Sequence, residues 1–167
     1  MDPFEEMYRT YSADIYRFLL RLCCFDRMTA EELTQEAFFQ AFLSFPKFRG
    51  ECKIRTWLCQ IAHNVYVQHV RREMKTQHTD LAETELPSQE NMEETCEQRE
   101  MLSAVRAAMA RLDEPMRSVA EYRLLSELSY DEIAALMQMR PNTAAVLFHR
   151  AKEKMRRMLR EEYGYEI

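Results

Sequence analysis

Glycine is nearly missing from this chain: two residues in 167. Two glycines cannot build a glycine-rich phosphate cradle, which removes the nucleotide-binding classes that depend on one. No stretch alternates apolar and polar residues as a half-buried strand does, and only five prolines interrupt the chain. Leucine, alanine, methionine, glutamate, glutamine and arginine prevail instead, a helical composition. No apolar run approaches the roughly 20 residues of a membrane span, so stable membrane insertion is not expected. No secretory signal is seen, and an odd five cysteines do not close a disulfide framework. The expectation is a reduced, cytoplasmic protein. Carboxylates abound but sit without a partner histidine, so acid–base catalysis has no support and no enzyme is expected. Cys59 and His63 lie four apart, with Cys52 and His69 near. That spacing fits no common zinc finger, and neither a metal nor any other cofactor is expected.

What the chain does have is an uneven charge distribution. The net charge of −5 argues at first sight against nucleic acid. Residues 73–100, however, hold nine acids against Lys75 and Arg99, so the remainder is about +2. Residues 47–72 carry six bases and one acid, and residues 140–160 carry seven bases and one acid. Two basic stretches thus flank an acidic middle. The length allows two small domains, each only modestly stable alone. Residues 74–95 lack a sustained period, are acidic and contain Pro87, and read as a flexible linker between domains at 1–73 and 96–163. Such a segment is either a solvated tether or a mimic of nucleic-acid charge in a basic channel.

In the first half, Asp2-Pro3 suits a helix start. Phe4, Tyr8, Tyr11, Ile15, Phe18 and Leu22 then step by four and three in an amphipathic helix ending near Cys24. Thr29–Glu32 reads as a capping box opening a second helix. Its Leu33, Ala37 and Ala41 share one face with Phe38, Phe42 and Phe45 beside it, its acids point outward, and Pro46 stops it. A basic and aromatic loop leads into KIRTWLCQIAHNVYVQHVRR, Lys53–Arg72. There Ile54, Leu58, Ile61 and Val65 form an apolar stripe. Gln60, Asn64, Gln68 and Arg71 form a polar one, with Arg55, His63 and Arg72 nearby. Cations can meet phosphates and amides can pair with base edges. On periodicity alone, the plainer reading of a core helix with a solvated face is preferred.

In the second half, residues 92–112 read as a helix with Met101, Leu102, Val105, Ala108 and Met109 inward. Asp113-Glu-Pro caps another, running to about Ser126. Ser129–Glu132 is a second capping box. A short helix, a tight turn and a long helix from Pro141 to about Glu162 make the pattern of a helix-turn-helix. Helical hairpins are also common in bundles without DNA, so the pattern alone leaves both readings open.

Taken together and in order, these segments resemble the extracytoplasmic-function group of bacterial sigma factors, the smallest members of the sigma-70 family. AEELTQEAFFQAF (Ala30–Phe42) is similar to the segment that docks on the β′ clamp helices of core RNA polymerase. FRGECKIRTWLCQIAHNVYVQHVRR (Phe48–Arg72) resembles the segment that melts and reads the minus-ten element. LDEPMRSVAEYRLLSELSYDEIAALMQMRPNTAAVLFHRAKEKMRRML (Leu112–Leu159) resembles the domain that reads the minus-thirty-five element and touches the β flap. The resemblance implies an all-α, two-domain fold and promoter recognition without catalysis, with core RNA polymerase, promoter DNA and an anti-sigma factor as partners. It assigns polymerase docking to Glu31, Glu32, Leu33, Gln35, Glu36, Phe38 and Phe39. Asn64 matches the asparagine of the family's I-A-x-N motif, which holds a flipped-out base. Arg49, Lys53, Arg55 and His63 belong to the same surface, and Arg71 and Arg72 would meet upstream duplex phosphates. Trp57 is read as core, not as a stacking platform. Minus-thirty-five contacts fall to Arg140, Pro141, Asn142, Thr143, Ala145, Val146, His149 and Arg150. The linker resembles the family's connector through the RNA exit path.

One departure stands out. The family commonly has basic residues along the recognition helix, where this chain has Ala145 and Leu147. Bidentate readout of guanine is therefore missing there, and thymine methyls or DNA shape are left as the means of reading. Weak binding that needs an activator is the other possibility. The rivals to a sigma factor are a helix-turn-helix regulator acting on duplex DNA alone and an inactive sigma-like decoy. The first leaves the acidic docking helix unexplained; the second is at odds with Asn64 and the basic loop.

Overall fold

The computed structural model describes residues 2–77 and 96–166. Regular structure among them is entirely helical, in two compact units that divide between residues 90 and 91. Most of the expected linker lies outside the described residues.

The first unit packs three helices against one another: α1 (Pro3–Leu22), α2 (Arg27–Ser44) and α3 (Ile54–Gln77). The α1 start is the one expected. The Asp2 side chain accepts from the Phe4 amide at 3.2 Å, with proline in the first turn. Ile15, Phe18 and Leu22 are buried as the spacing predicts, joined by Met7 and Leu19, while Tyr8 is exposed. With so little glycine available, the α1–α2 turn places Cys24 and Phe25 in the left-handed region (φ 56° and 64°).

The start of α2 corrects the sequence reading. Asp26, not Thr29, is the N-cap, and its carboxylate accepts both the Thr29 amide (3.4 Å) and the Thr29 hydroxyl (2.6 Å). Thr29 occupies the third helical position and serves the cap instead of being it. Leu33, Ala37 and Ala41 face inward as expected, with Ala30 and Phe38. Three alanines on this face let α2 lie close to its neighbours. Pro46 does end the helix, in a 3-10 turn at Phe45–Lys47. Phe45 and Phe48 then pack on Trp57 at 6.4 and 4.8 Å between ring centroids, so Trp57 is part of the packing. Gly50 takes a positive φ of 73° in the loop before α3. Helix α3 continues to Gln77, so a domain boundary at 73 would cut through a helix.

The second unit comprises α4 (Cys96–Ala110), α5 (Met116–Leu125), α6 (Tyr130–Met137) and α7 (Pro141–Tyr163), with α7 packed against the other three. Ala104, Ala108, Met109, Leu112, Ala120, Ala151, Met155 and Leu159 form one buried cluster. Met101 and Leu102, expected inward, are about two-fifths exposed (39% and 40%). Ala104 and Ala108 take the inner positions, where small side chains allow α4 to approach α7. Nor does Asp113 cap α5. The cap is Pro115, with no side-chain bond, and Glu114 accepts from Ser118 (2.6 Å) and Arg117 (3.0 Å).

The capping box of α6 forms as read. The Glu132 amide donates to Ser129 Oγ at 3.1 Å, and the Ser129 amide donates to Glu132 Oε2 at 2.9 Å. Leu128 and Ile133, at the N′ and N4 positions of a hydrophobic staple, are fully buried. Gln138 ends α6 in the left-handed region (φ 54°). Two residues later α7 begins, with Arg140 as N-cap and Pro141 in its first turn. It closes on Gly164 (φ 72°), with the Tyr165 amide reaching back to the Leu159 carbonyl at 3.1 Å.

Candidate nucleic-acid interface

Helix α3 has one side in the core and one in solvent. Thr56, Leu58, Cys59, Ala62, His63 and Val65 are buried, while Ile54 and Ile61 are half-buried. The inner face is thus rotated from the expected stripe and is filled by small residues as well as large ones. Asn64, Gln68, Arg71 and Arg72 are exposed, and Gln60 is half-exposed, one turn apart along the outer face. These residues can meet a partner together. Arg49 and Lys53 are exposed in the loop that feeds the helix.

Two residues expected on this surface are elsewhere. His63 retains only 4% of its surface and belongs to the core. Arg55 is half-buried, and its Nε is paired with the Asp14 carboxylate of α1. A tertiary ion pair between residues 41 positions apart occupies a cation that sequence reading offered to DNA. Next to Lys53, burial pushes the Cys52 thiol up, and the Glu51 charge adds to it. Among the described residues no three metal-capable side chains gather, and no disulfide links the cysteines.

A second surface lies on α2. Glu31, Glu32, Gln35 and Glu36 are exposed in its first half, and Phe39 follows at 55%. Leu33 and Phe38, expected to dock, are buried at 7% and 5% and hold the helix down. Phe42 and Leu43, equally exposed at 54% and 55%, extend the apolar end. Sequence reading placed Phe42 beside the inner face and did not single out Leu43. Acids wind into an open apolar patch.

The third surface is α7. Ala144, Phe148, Ala151, Met155 and Leu159 are buried. Pro141, Asn142, Thr143, Val146, His149 and Arg150 are exposed, and Ala145 is half-buried. Arg140 is exposed at the cap. Glu153 stands 3.5 Å from His149. The supporting turn is braced by Arg123, which donates to the Leu128 carbonyl (2.9 Å) and lies 4.5 Å over the Tyr130 ring.

The chain thus comprises two small helical domains, one with a polar, cation-edged helix face and the other with a helix-turn-helix whose second helix has an open outer face. The description of Sigma-70 region 2 matches residues 7–76, and that of Sigma-70, region 4 matches residues 102–155. The chain is 30% identical over 159 residues to the RNA polymerase sigma factor YlaC of Bacillus subtilis (strain 168), covering 93% of this chain and 91% of YlaC. It is also 30% identical over 155 residues to the ECF RNA polymerase sigma factor SigM of the same organism, covering 91% and 92%. In fold it is similar to the sigma factor RpoE of Bartonella quintana, solved in complex with the anti-sigma factor NepR. That match has a TM-score of 0.68 and 18% identity, covering 97% of this chain and 99% of RpoE. The chain belongs to the sigma-70 family of RNA polymerase sigma factors, in its extracytoplasmic-function group. No described helix is long and apolar enough to cross a membrane.

Proposed function

We propose that this chain binds core RNA polymerase in the cytoplasm and directs it to a small set of promoters, itself performing no catalysis. The acidic and apolar outer face of α2 docks on the β′ clamp helices through Glu31, Glu32, Gln35, Glu36 and Phe39, extended by Phe42 and Leu43. The outer face of α3 reads the minus-ten element. Asn64 holds an unstacked base through its amide, which both donates and accepts. Arg49 and Lys53 hold single-strand backbone, and Arg71 and Arg72 meet duplex phosphates. The second unit places the first turns of α7 in the major groove of the minus-thirty-five element and touches the β flap. An anti-sigma factor covers the apolar end of α2 when the protein is held inactive.

One observation supports this reading most. Asn64 stands in solvent, on the side of α3 away from the core, in line with Gln68 and Arg71. Run-off transcription with core polymerase tests it. Defined starts that depend on Asn64 are the expected result. Sequence-specific binding to intact duplex without any binding to core would replace the reading with a simple helix-turn-helix regulator. Binding to core without initiation anywhere would make the chain a decoy.

A further inference from the structure

We propose that the second unit selects an A/T-rich upstream element, read by thymine methyls and one adenine and not by guanine. This rests on the sigma-factor reading above. On α7 the residues Asn142, Val146 and His149 recur at steps of four and three, with Thr143 and Arg150 beside them. All five are exposed. They lie opposite Ala144, Phe148 and Ala151, which are buried in the unit's core. This is the face that a helix-turn-helix presents to the major groove, with its N-terminal residues at the base edges.

The chemistry of that face is narrow. No lysine or arginine occurs between Arg140 and Arg150. His149 Nε2 stands 3.5 Å from the Glu153 carboxylate, one turn further along the helix. Arg140 caps α7 ahead of its first turn, and Arg150 lies about 15 Å further along the helix, beyond the N-terminal turns that meet base edges. Between them remain an isopropyl group at Val146, 41% exposed, the methyl and hydroxyl of Thr143, and the Asn142 amide. Apolar groups discriminate by touching the thymine C5 methyl, and an asparagine amide pairs with adenine N6 and N7. Guanine offers two acceptors, which call for the bidentate cation that is missing here.

The test uses holoenzyme assembled from the full chain and bacterial core polymerase. Promoters are selected from duplex DNA with a randomised upstream region and then bound and transcribed one by one. The expected upstream element is A·T and T·A at the central positions. Replacing each contacted thymine by uracil, which removes only the methyl, weakens binding about fourfold. Val146→Ala, at an exposed helical site, loses that thymine–uracil difference. Asn142→Ala lowers the preference for one adenine roughly tenfold. Arg140→Ala and Arg150→Ala weaken all sequences alike and flatten the salt dependence. Three results would overturn the inference while leaving the sigma-factor reading intact: an invariant G·C pair in that element, a uracil series with unchanged affinity, or an Arg140 or Arg150 variant that relaxes a guanine preference. Absence of initiation from every template would overturn both.

Discussion

The Asp14–Arg55 pair separates a structural role from a DNA-binding one. Sequence resemblance gives Arg55 to promoter DNA, whereas the fold pairs it with Asp14 across α1 and α3. Two unit charges ~4 Å apart attract by about 4 kcal/mol at an effective dielectric constant near 20. Desolvation and side-chain ordering cancel most of that, and exposed pairs retain only about 0.2–1 kcal/mol. Here the side chains keep 32% and 33% of their surface, so a net coupling of about 1 kcal/mol is expected. Urea unfolding of Asp14→Asn, Arg55→Gln and the double variant gives the coupling directly. Arg55→Gln is expected to lower stability without DNA. The number of counterions released on promoter binding, read from the salt dependence, should stay unchanged. A coupling below about 0.2 kcal/mol, together with a salt slope reduced by about one unit, would refute this reasoning and return Arg55 to the DNA.

Three further outcomes follow from local geometry. Ser129→Ala breaks the capping box that sets up the helix-turn-helix and should cost about 1 kcal/mol in urea unfolding. Gln138→Gly relieves a left-handed residue and should raise stability by up to about 1 kcal/mol, after the added freedom of the unfolded chain is subtracted. Burial pushes the Glu114 carboxyl up, but hydrogen bonds from Ser118 and Arg117 more than offset it and hold it below its ordinary value. A lowered carboxylate stabilises the fold above its unfolded-state value and loses that contribution as pH falls through the folded one. Wild type should therefore exceed Glu114→Gln in stability at neutral pH, and the gap should close on acidification below about pH 4.3. Chemical denaturation between pH 3 and 7 (roughly the span of carboxylate titration) measures it.

Local chemistry made much of the architecture legible. Asp2-Pro3, the Ser129–Glu132 box and Pro141 act within a few residues, and each begins a helix where expected. The outer position of Asn64 also followed from spacing, because Gln60, Gln68 and Arg71 repeat around it. What spacing could not decide was the exact rotation of faces. In α3, apolar and small residues occupy much of the circumference, so packing against α1 and α2 buried Cys59 and His63 and left Ile54 and Ile61 half open. In α4, alanines won the inner positions over Met101 and Leu102 because close approach to α7 favours small side chains. At α2 two cap-capable residues, Asp26 and Thr29, stood three apart, and the choice fell to the carboxylate that both groups of Thr29 could serve. The loss of Arg55 to Asp14 is a tertiary event between distant residues, and no local pattern announces it.

In the proposed function the chain reads promoter DNA for RNA polymerase through the outer face of α3. Run-off transcription with core polymerase, comparing the full chain with Asn64→Ala on a promoter selected by the holoenzyme, tests it most directly. A sharp fall in initiation is expected, roughly tenfold or more for a lost base-holding amide. Binding to core and the helical fold should be unchanged, since Asn64 is exposed. Equal transcription from the two proteins would contradict it.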